Sequence, residues 1–342
     1  MRLKSLRSNL VLLAVSIAFS LILGFILLVG FELLSSYHHF GPSSLEGVHF
    51  PVTGFDSYLG WDGMPNQSFQ FFEKNVTTNS LGFRGEEVDY SKEHILVLGD
   101  SVAWGFGVDD TETIPYDLNK LTEKKYPNLQ VLNLALTGYG IDQYYLKLEK
   151  DISLARPKLI IMIIFTGNDF FETAADTSYG KSKPFFAIRD GRLLNLNPRI
   201  SRYSCSNLLS SSNIINKIGR GSLLRKFICG NRRSTTQETE EVIRRLFSEM
   251  QNIAVAHNSS LLFVISPDKQ DYISETSELL FFRSALKDGG YNYLDYYEIL
   301  KKKDINTSEL YIANYTDHYV AAGCKLLAEA IYQYADEKGL MS

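Results

Sequence analysis

From residue 93 onward, short continuous apolar runs alternate with apolar positions spaced three and four residues apart. Continuous runs of four to eight residues predict buried strands, and the wider spacing predicts helices. The predicted strands are Ile95–Leu98, Gln130–Leu134, Leu159–Phe165, Leu261–Ile265 and Tyr291–Leu294. The predicted helices are Thr113–Tyr126, Asp142–Leu154, Gln237–His257 and Val320–Ala335. This alternation predicts an α/β fold, a three-layer α/β/α doubly wound parallel sheet.

The N-terminal region has a different pattern, with no charge between Ser8 and Phe31 and many large apolar residues. Because about 20 apolar residues span a bilayer as a helix, residues 9–34 are predicted to form a transmembrane signal anchor. Arg2, Lys4 and Arg7 precede this run, so residues 1–8 are expected in the cytoplasm and the rest outside it. A cleaved signal peptide is the alternative.

The remainder divides into an extracytoplasmic lead-in over 35–92 and a domain over 93–338. Residues 170–235 form an insertion that is longer than an ordinary connection. The insertion leaves the end of the third strand, and Asp190-Gly191 within it predicts a hairpin turn. It is expected to be a lid or a substrate-binding element, and a disordered surface loop is the alternative.

Composition adds few constraints. The chain has 342 residues and a formal charge of −4, so it is not basic and nucleic acid is not an expected partner. Cys205 and Cys229 form a disulfide if the compartment is oxidising, and free thiols are the alternative. Cys324 lies on the apolar face of the last helix and is expected in the core. The cysteines and histidines lack metal-ligand spacing, and no cofactor is expected.

The first predicted strand stops abruptly at Gly99-Asp100-Ser101. Open α/β sheets bind their ligands beyond the carboxyl ends of the strands. A helix after Ser101 would also place free N–H groups where negative charge develops. Ser101 is therefore the candidate nucleophile.

A serine nucleophile needs a general base, and the chain has six histidines. Three lie near the N-terminal apolar run, His94 precedes the first strand, and His257 ends a helix. His318 stands between the last strand and the closing helix, where the chain can return to the carboxyl edge of the sheet.

Oxyanion donors are also expected at strand ends. The second strand is followed by Thr137-Gly138-Tyr139-Gly140, and a glycine lets its backbone N–H approach a substrate closely. Gly138 is the preferred donor and Gly140 the alternative. The third strand is followed by Gly167-Asn168-Asp169, where Asn168 can donate its side-chain amide.

Together these residues resemble the SGNH (GDSL-like) hydrolase superfamily, whose four blocks carry Ser, Gly, Asn and His. Ser101, Gly138, Asn168 and His318 match the blocks in the family's order. The resemblance covers residues 93–336 and implies a flavodoxin-like sheet. The segment Thr78–Gly85 resembles the lead-in of membrane-anchored bacterial members.

One position departs from the family pattern, which usually has Asp three residues before the His. Position 315 is Tyr, and the acid is directly adjacent to the histidine as Asp317. Three outcomes stay open: Asp317 orients the ring through a kinked backbone, a backbone carbonyl replaces it in a dyad, or activity is poor.

The resemblance implies acyl transfer, with Ser101, His318 and Asp317 as catalytic residues. The N–H groups of Ser101 and Gly138 and the amide of Asn168 then form the oxyanion hole, while Asp100 and Asp169 hold turns. Pocket-lining candidates are Trp104, Tyr139, Phe170 and Phe171.

Three functions are compatible with these residues. The first is an extracytoplasmic esterase that removes acetyl or other short acyl groups from a carbohydrate or cell-envelope polymer. The second is an O-acyltransferase that modifies a secreted polysaccharide and is fed by a membrane protein partner. The third is a non-catalytic binding module on the same fold.

Overall fold

The computed structural model describes residues 12–13, 15–28, 30, 52–202, 232–303, 305, 307–312 and 317–342. The chain divides into two compact units, one over 1–49 and 202–230 and the other over 50–201 and 231–342. In the first unit, the described residues between 12 and 30 are helical and their large apolar side chains are exposed. Among the described residues, no helix combines the length and apolar character that crossing a membrane requires. The transmembrane helix over 9–34 therefore stays a prediction that the described helices do not support.

The second unit is built on a parallel sheet of five strands. Chain order gives β5 (Glu93–Leu98), β6 (Leu129–Asn133), β7 (Pro157–Phe165), β12 (Ser260–Ser266) and β13 (Tyr293–Asp295). Their order across the sheet is β13-β12-β7-β5-β6, and every neighbouring pair is parallel. Numbered among these five strands alone, the order is 2-1-3-4-5, the doubly wound flavodoxin-like arrangement. The predicted fold class is confirmed.

The sheet is covered on both faces. Five consecutive side chains of β7, Ile160 to Ile164, are fully buried, although successive residues of a strand point to opposite faces. Two pairs of helices contact each other: α2 (Ile114–Thr122) packs with α8 (Ala321–Glu337), and α3 (Ile141–Asp151) packs with α5 (Thr236–Ala256). Buried parallel strands of this kind are continuous apolar runs, which is why they were predictable.

Two further helices, α6 (Ser277–Asp288) and α7 (Tyr296–Lys302), were not predicted. Consecutive apolar residues such as Leu279 to Phe282 obscure the helical period of α6, and α7 has only seven residues. Two shorter helices also occur, α1 (Ser101–Trp104) and α4 (Asp169–Thr173).

From residue 50 onward, the lead-in belongs to the same compact unit as the sheet. It forms two hairpins: β1 (Thr53–Asp56) pairs with β2 (Gly60–Gly63), and β3 (Ser68–Phe71) pairs with β4 (Lys74–Thr77). Buried Arg84 joins the lead-in to the segment after α1. It donates to Asp110 at 2.8 Å and to the carbonyl oxygens of Trp104 at 3.2 Å and Val108 at 2.7 Å.

The described part of the insertion, 170–202 and 232–235, is structured. It contains the short hairpin β8 (Thr177–Ser178) with β9 (Lys181–Ser182), and a second hairpin, β10 (Phe186–Arg189) with β11 (Arg192–Asn195). The second hairpin turns at Asp190 and Gly191, whose φ values are 49° and 72°, so the predicted turn is confirmed. Cys205 and Cys229 lie outside the described residues, whereas Cys324 is a buried free thiol in the core, as predicted.

Candidate active site

Ser101 begins helix α1 immediately after strand β5 and is 7% exposed. Gly99 makes this tight turn possible, because a Cβ at that position would lie 2.5 Å from the Ala103 Cβ and 2.9 Å from the Ile163 carbonyl oxygen. Asp100 caps the helix by accepting a hydrogen bond from the Val102 N–H at 2.9 Å. The strand end therefore presents the Ser101 hydroxyl at the carboxyl edge of the sheet.

The central feature of the site is a short contact between two distant residues. Ser101 Oγ lies 2.6 Å from His318 Nε2, across 217 positions of sequence. This is within the distance at which a general base removes a hydroxyl proton. Ser101 Oγ also lies 3.2 Å from Asp100 Oδ2. A hydroxyl has one proton to donate, and the shorter distance favours His318 as its acceptor.

The His318 loop is fastened to the end of strand β12. Tyr311 and Tyr319 form an antiparallel bridge, with the Ile312 N–H donating to the His318 carbonyl oxygen at 2.8 Å. The Tyr311 hydroxyl donates to the Pro267 carbonyl oxygen at 2.8 Å, and the Tyr319 hydroxyl lies 2.9 Å from Ser266 Oγ. These contacts return the late histidine to the sheet edge where Ser101 lies.

The imidazole of His318 is held neutral by its surroundings. Burial lowers its pKa to about 4, against the opposing effect of the Asp317 charge. The Phe106 ring lies 4.4 Å away, centroid to centroid, and excludes water from one side of the imidazole. A neutral imidazole with its proton on Nδ1 leaves Nε2 free to act as a base.

The Asp317 carboxylate, which was predicted to orient the His318 ring, pairs with Lys269. Its side chain is half exposed, and Oδ1 lies 3.5 Å from Lys269 Nζ. Adjacent residues in an extended loop direct their side chains apart, so Asp317 affects His318 mainly as a nearby charge. Asn314, Tyr315 and Thr316 lie outside the described residues. Lys269 is thus a charge partner of Asp317, and the role of Asp317 in orienting His318 stays a prediction.

Gly138 and Asn168 lie where the next two strands end, as the parallel topology requires. Gly138 has a φ of 76°, which a glycine adopts without strain. A Cβ there would meet the Tyr179 ring at 2.8 Å. The Asn168 side chain is close enough to the Asp100 carboxyl and the Tyr179 hydroxyl to lower the pKa of each, against the larger effect of burial. In this structure the predicted oxyanion donors thus lie close to groups of the protein itself.

Asp100 and Asp169 hold turns, as expected. Burial raises the pKa of the fully buried Asp100 to about 6, against hydrogen bonds from Val102, Ser101 and Asn168. Asp169 accepts from the Tyr144 hydroxyl at 2.8 Å and the Phe165 N–H at 2.9 Å, and burial together with the Asp100 charge raises its pKa strongly.

Three of the four predicted pocket-lining aromatics are packing residues. Trp104, Tyr139 and Phe170 are at most 6% exposed, and only Phe171 is open to solvent, at 48%. Sequence reasoning missed Phe106, Lys269 and Tyr179, because nothing in their local sequence indicates contact with residues far away in the chain. Two cavities among the described residues are not lined by Ser101. One is lined in part by Arg84 and Tyr116, and the other in part by Arg189 and Arg233.

Comparison with known proteins was made on both sequence and structure. No family profile and no curated protein matches the sequence. A G-D-S-L family lipolytic protein from Desulfitobacterium hafniense is 13% identical, with 71% of this chain and 99% of that chain covered and a TM-score of 0.43. A catalytic mutant of an acetylxylan esterase from Geobacillus stearothermophilus is 15% identical, with 71% and 94% covered and a TM-score of 0.42. A lipase/acylhydrolase from Enterococcus faecalis is 11% identical, with 72% and 96% covered and a TM-score of 0.42.

The chain resembles the SGNH (GDSL-like) hydrolases in strand order and in the order of its four blocks, and these three matched structures have names of the lipolytic, esterase or acylhydrolase class.

Proposed function

We propose that this protein is a serine ester hydrolase that works through an acyl-enzyme. The observation that carries the proposal is the 2.6 Å contact between Ser101 Oγ and His318 Nε2 at the carboxyl edge of the sheet. Burial supports the role of the base, because it keeps the imidazole neutral at physiological pH. A base in its unprotonated form beside a hydroxyl is the arrangement that activates a serine.

In the first half-reaction, the Ser101 hydroxyl proton moves to His318 Nε2 as Oγ bonds to the ester carbonyl carbon. The N–H groups of Ser101 and Gly138 and the Asn168 amide stabilise the oxyanion. The carbon–oxygen bond of the alcohol then breaks, and the alcohol leaves with the proton from His318. In the second half-reaction, water gives its proton to His318 and attacks the acyl group, and Ser101 recovers its proton as the acid is released.

The experiment is intact mass spectrometry of the full-length protein after fluorophosphonate treatment, beside Ser101→Ala, His318→Ala and Asp317→Asn. One adduct that is lost in the Ser101 and His318 variants supports an activated serine. A labelled Asp317→Asn protein supports the dyad, and an unlabelled one restores Asp317 to the triad. A folded parent protein without any adduct would favour the non-catalytic module.

Hydrolase and O-acyltransferase share this site and differ in the acceptor of the acyl group. Steady turnover of p-nitrophenyl acetate in water alone supports the hydrolase. A single burst of p-nitrophenol that becomes continuous only when a polysaccharide acceptor is added supports the transferase.

We further propose acetyl or other short acyl esters of a carbohydrate or cell-envelope polymer as substrates. The Phe171 ring supports this, because it is 48% exposed three residues after Asn168 and flat rings stack on sugar faces. Phe171→Ala is expected to raise the KM for an acetylated oligosaccharide and to leave p-nitrophenyl acetate turnover unchanged. An equal effect on both esters would argue against a sugar-binding role.

We also propose an extracytoplasmic location, with the N-terminal region as the membrane attachment. The basic residues Arg2, Lys4 and Arg7 and the exposed apolar side chains between 12 and 28 support it. Protease added to intact spheroplasts is expected to degrade the catalytic domain. A domain that is degraded only after lysis would contradict this location.

A further inference from the structure

The hairpin β8–β9 has an unusual residue at its tip. Its two-residue turn is Tyr179-Gly180, with φ values of 47° and 79°. Asn, Asp and Gly are preferred in turns of this kind because both central residues need positive φ. A bulky aromatic residue is strained there, so local turn propensity does not explain the tyrosine at position 179.

The Tyr179 side chain instead lies against Gly138 and near Asn168, two of the three predicted oxyanion donors. Its Cε2 and Cδ2 atoms lie 2.8 and 3.0 Å from where a Cβ on Gly138 would stand. Its hydroxyl is close enough to the Asn168 side chain for that amide to lower the Tyr179 pKa, against the larger effect of burial. The ring therefore lies directly beside the place where a carbonyl oxygen would bind.

The hairpin is held in this position from both sides. On one side, Lys183 is fully buried, pairs with Asp142 and donates to the Glu172 carbonyl oxygen at 3.0 Å. On the other side, Lys181 is 4% exposed, donates to Thr53 Oγ1 at 3.3 Å and lies over the Trp61 ring. These buried anchors make the position of Tyr179 a property of the fold.

A carbonyl oxygen in the oxyanion hole lies about 3 Å from each donor. The α-carbon of the acyl group is bonded to the carbonyl carbon that carries this oxygen. The first atoms of the acyl group are therefore expected within contact distance of a ring that lies against Gly138 and near Asn168. We propose that Tyr179 is a specificity-determining residue, whose ring closes the acyl side of the site and restricts Ser101 to short acyl groups such as acetyl. This proposal rests on the proposed ester hydrolase function.

The test measures kcat/KM of the full-length protein for p-nitrophenyl acetate, butyrate and octanoate, which share one leaving group. Tyr179→Asn removes the ring and suits the positive φ, so the hairpin is expected to keep its fold. Tyr179→Phe keeps the ring, and Tyr90→Ala is the matched control because Tyr90 is 62% exposed and is not part of the site. We expect Tyr179→Asn to raise the octanoate-to-acetate ratio of kcat/KM at least 10-fold, since one methylene in a pocket changes selectivity about 10- to 200-fold. The other two variants are expected to stay within about 2-fold of the parent ratio.

The outcomes separate this proposal from the one on which it rests. An unchanged ratio in a Tyr179→Asn protein that still reacts with fluorophosphonate would overturn the role of Tyr179 and leave the hydrolase intact. If Tyr179→Asn does not fold, Tyr179→Gly replaces it, with the same required rise in the ratio, because glycine adopts positive φ without strain. A parent protein that neither labels nor hydrolyses any of the three esters would overturn both proposals.

Discussion

The pH dependence of ester hydrolysis tests whether burial sets the state of the general base. The lowered pKa of His318, about 4, follows from desolvation of the ring, with Asp317 raising it and Lys269 lowering it further. Because kcat/KM reports the essential base of the free enzyme, the acidic limb of the profile is expected to have its midpoint near pH 4. An ordinary histidine would place it near about 6.5.

The size of this difference makes the measurement decisive. A base with a pKa of about 4 is roughly 90% unprotonated at pH 5, whereas one with a pKa of about 6.5 is roughly 3% unprotonated. The parent enzyme is therefore expected to keep roughly 90% of its plateau kcat/KM at pH 5, about 30 times what an exposed histidine would allow.

The assay follows p-nitrophenyl acetate hydrolysis at the isosbestic wavelength of p-nitrophenol, with circular dichroism as a check on folding at each pH. Two variants assign the midpoint. Asp317→Asn is expected to move it to lower pH and Lys269→Met to higher pH, because these charges act on His318 in opposite directions. Asp100→Asn controls for the neighbouring carboxyl, whose pKa is about 6. A parent midpoint between pH 6 and 7 that also persists in Asp100→Asn would refute the argument that burial holds His318 neutral.

Further predictions concern the oxyanion hole and the buried charges. Asn168→Ala is expected to lower kcat about 100- to 1000-fold with little change in Tm, and unchanged ester turnover would remove Asn168 from the oxyanion hole. Asp100→Asn is expected to stabilise the fold at pH 8 by up to about 3 kcal/mol, since burial raises the Asp100 pKa to about 6 from 3.8 and one pKa unit corresponds to about 1.4 kcal/mol. The Asp100 carboxyl binds its proton more tightly in the folded protein than in the unfolded one. The stabilisation by Asp100→Asn is therefore expected to shrink as the pH falls below 6 and to be absent near pH 4. Urea unfolding at pH 8 and at pH 4 checks the sign. Arg84→Lys is expected to lower the free energy of unfolding by about 1–3 kcal/mol, because an ammonium group cannot satisfy the acceptors that surround the buried guanidinium. A Tm equal to that of the parent protein would contradict this. Lys183→Met is expected to lower the free energy of unfolding by about 3–5 kcal/mol, because it leaves the buried Asp142 carboxylate unpaired. Adding Asp142→Leu is expected to recover most of that loss. A double variant no more stable than Lys183→Met would be evidence against the pair.

Local pattern alone located most of the framework of the domain. The four longer strands were predicted to within two residues at each end because a strand buried on both faces is a continuous apolar run. The candidate Ser, Gly and Asn were found for a related reason. Parallel strands end at one edge of the sheet, so residues that directly follow Leu98, Asn133 and Phe165 are neighbours wherever they lie in the sequence.

Contacts between distant segments were decided only by the tertiary structure. The adjacency of Asp317 and His318 in sequence left the role of Asp317 open, and only the structure gives its carboxylate Lys269 as a partner. Tyr179 gave no signal in its own neighbourhood, and it is the buried anchors of its hairpin that bring it to Gly138 and Asn168. Sequence pattern therefore determined which residues follow each strand, since period and apolar content are local properties. Packing determined which side chains meet at the reaction centre, because that depends on how segments far apart in the chain are held together.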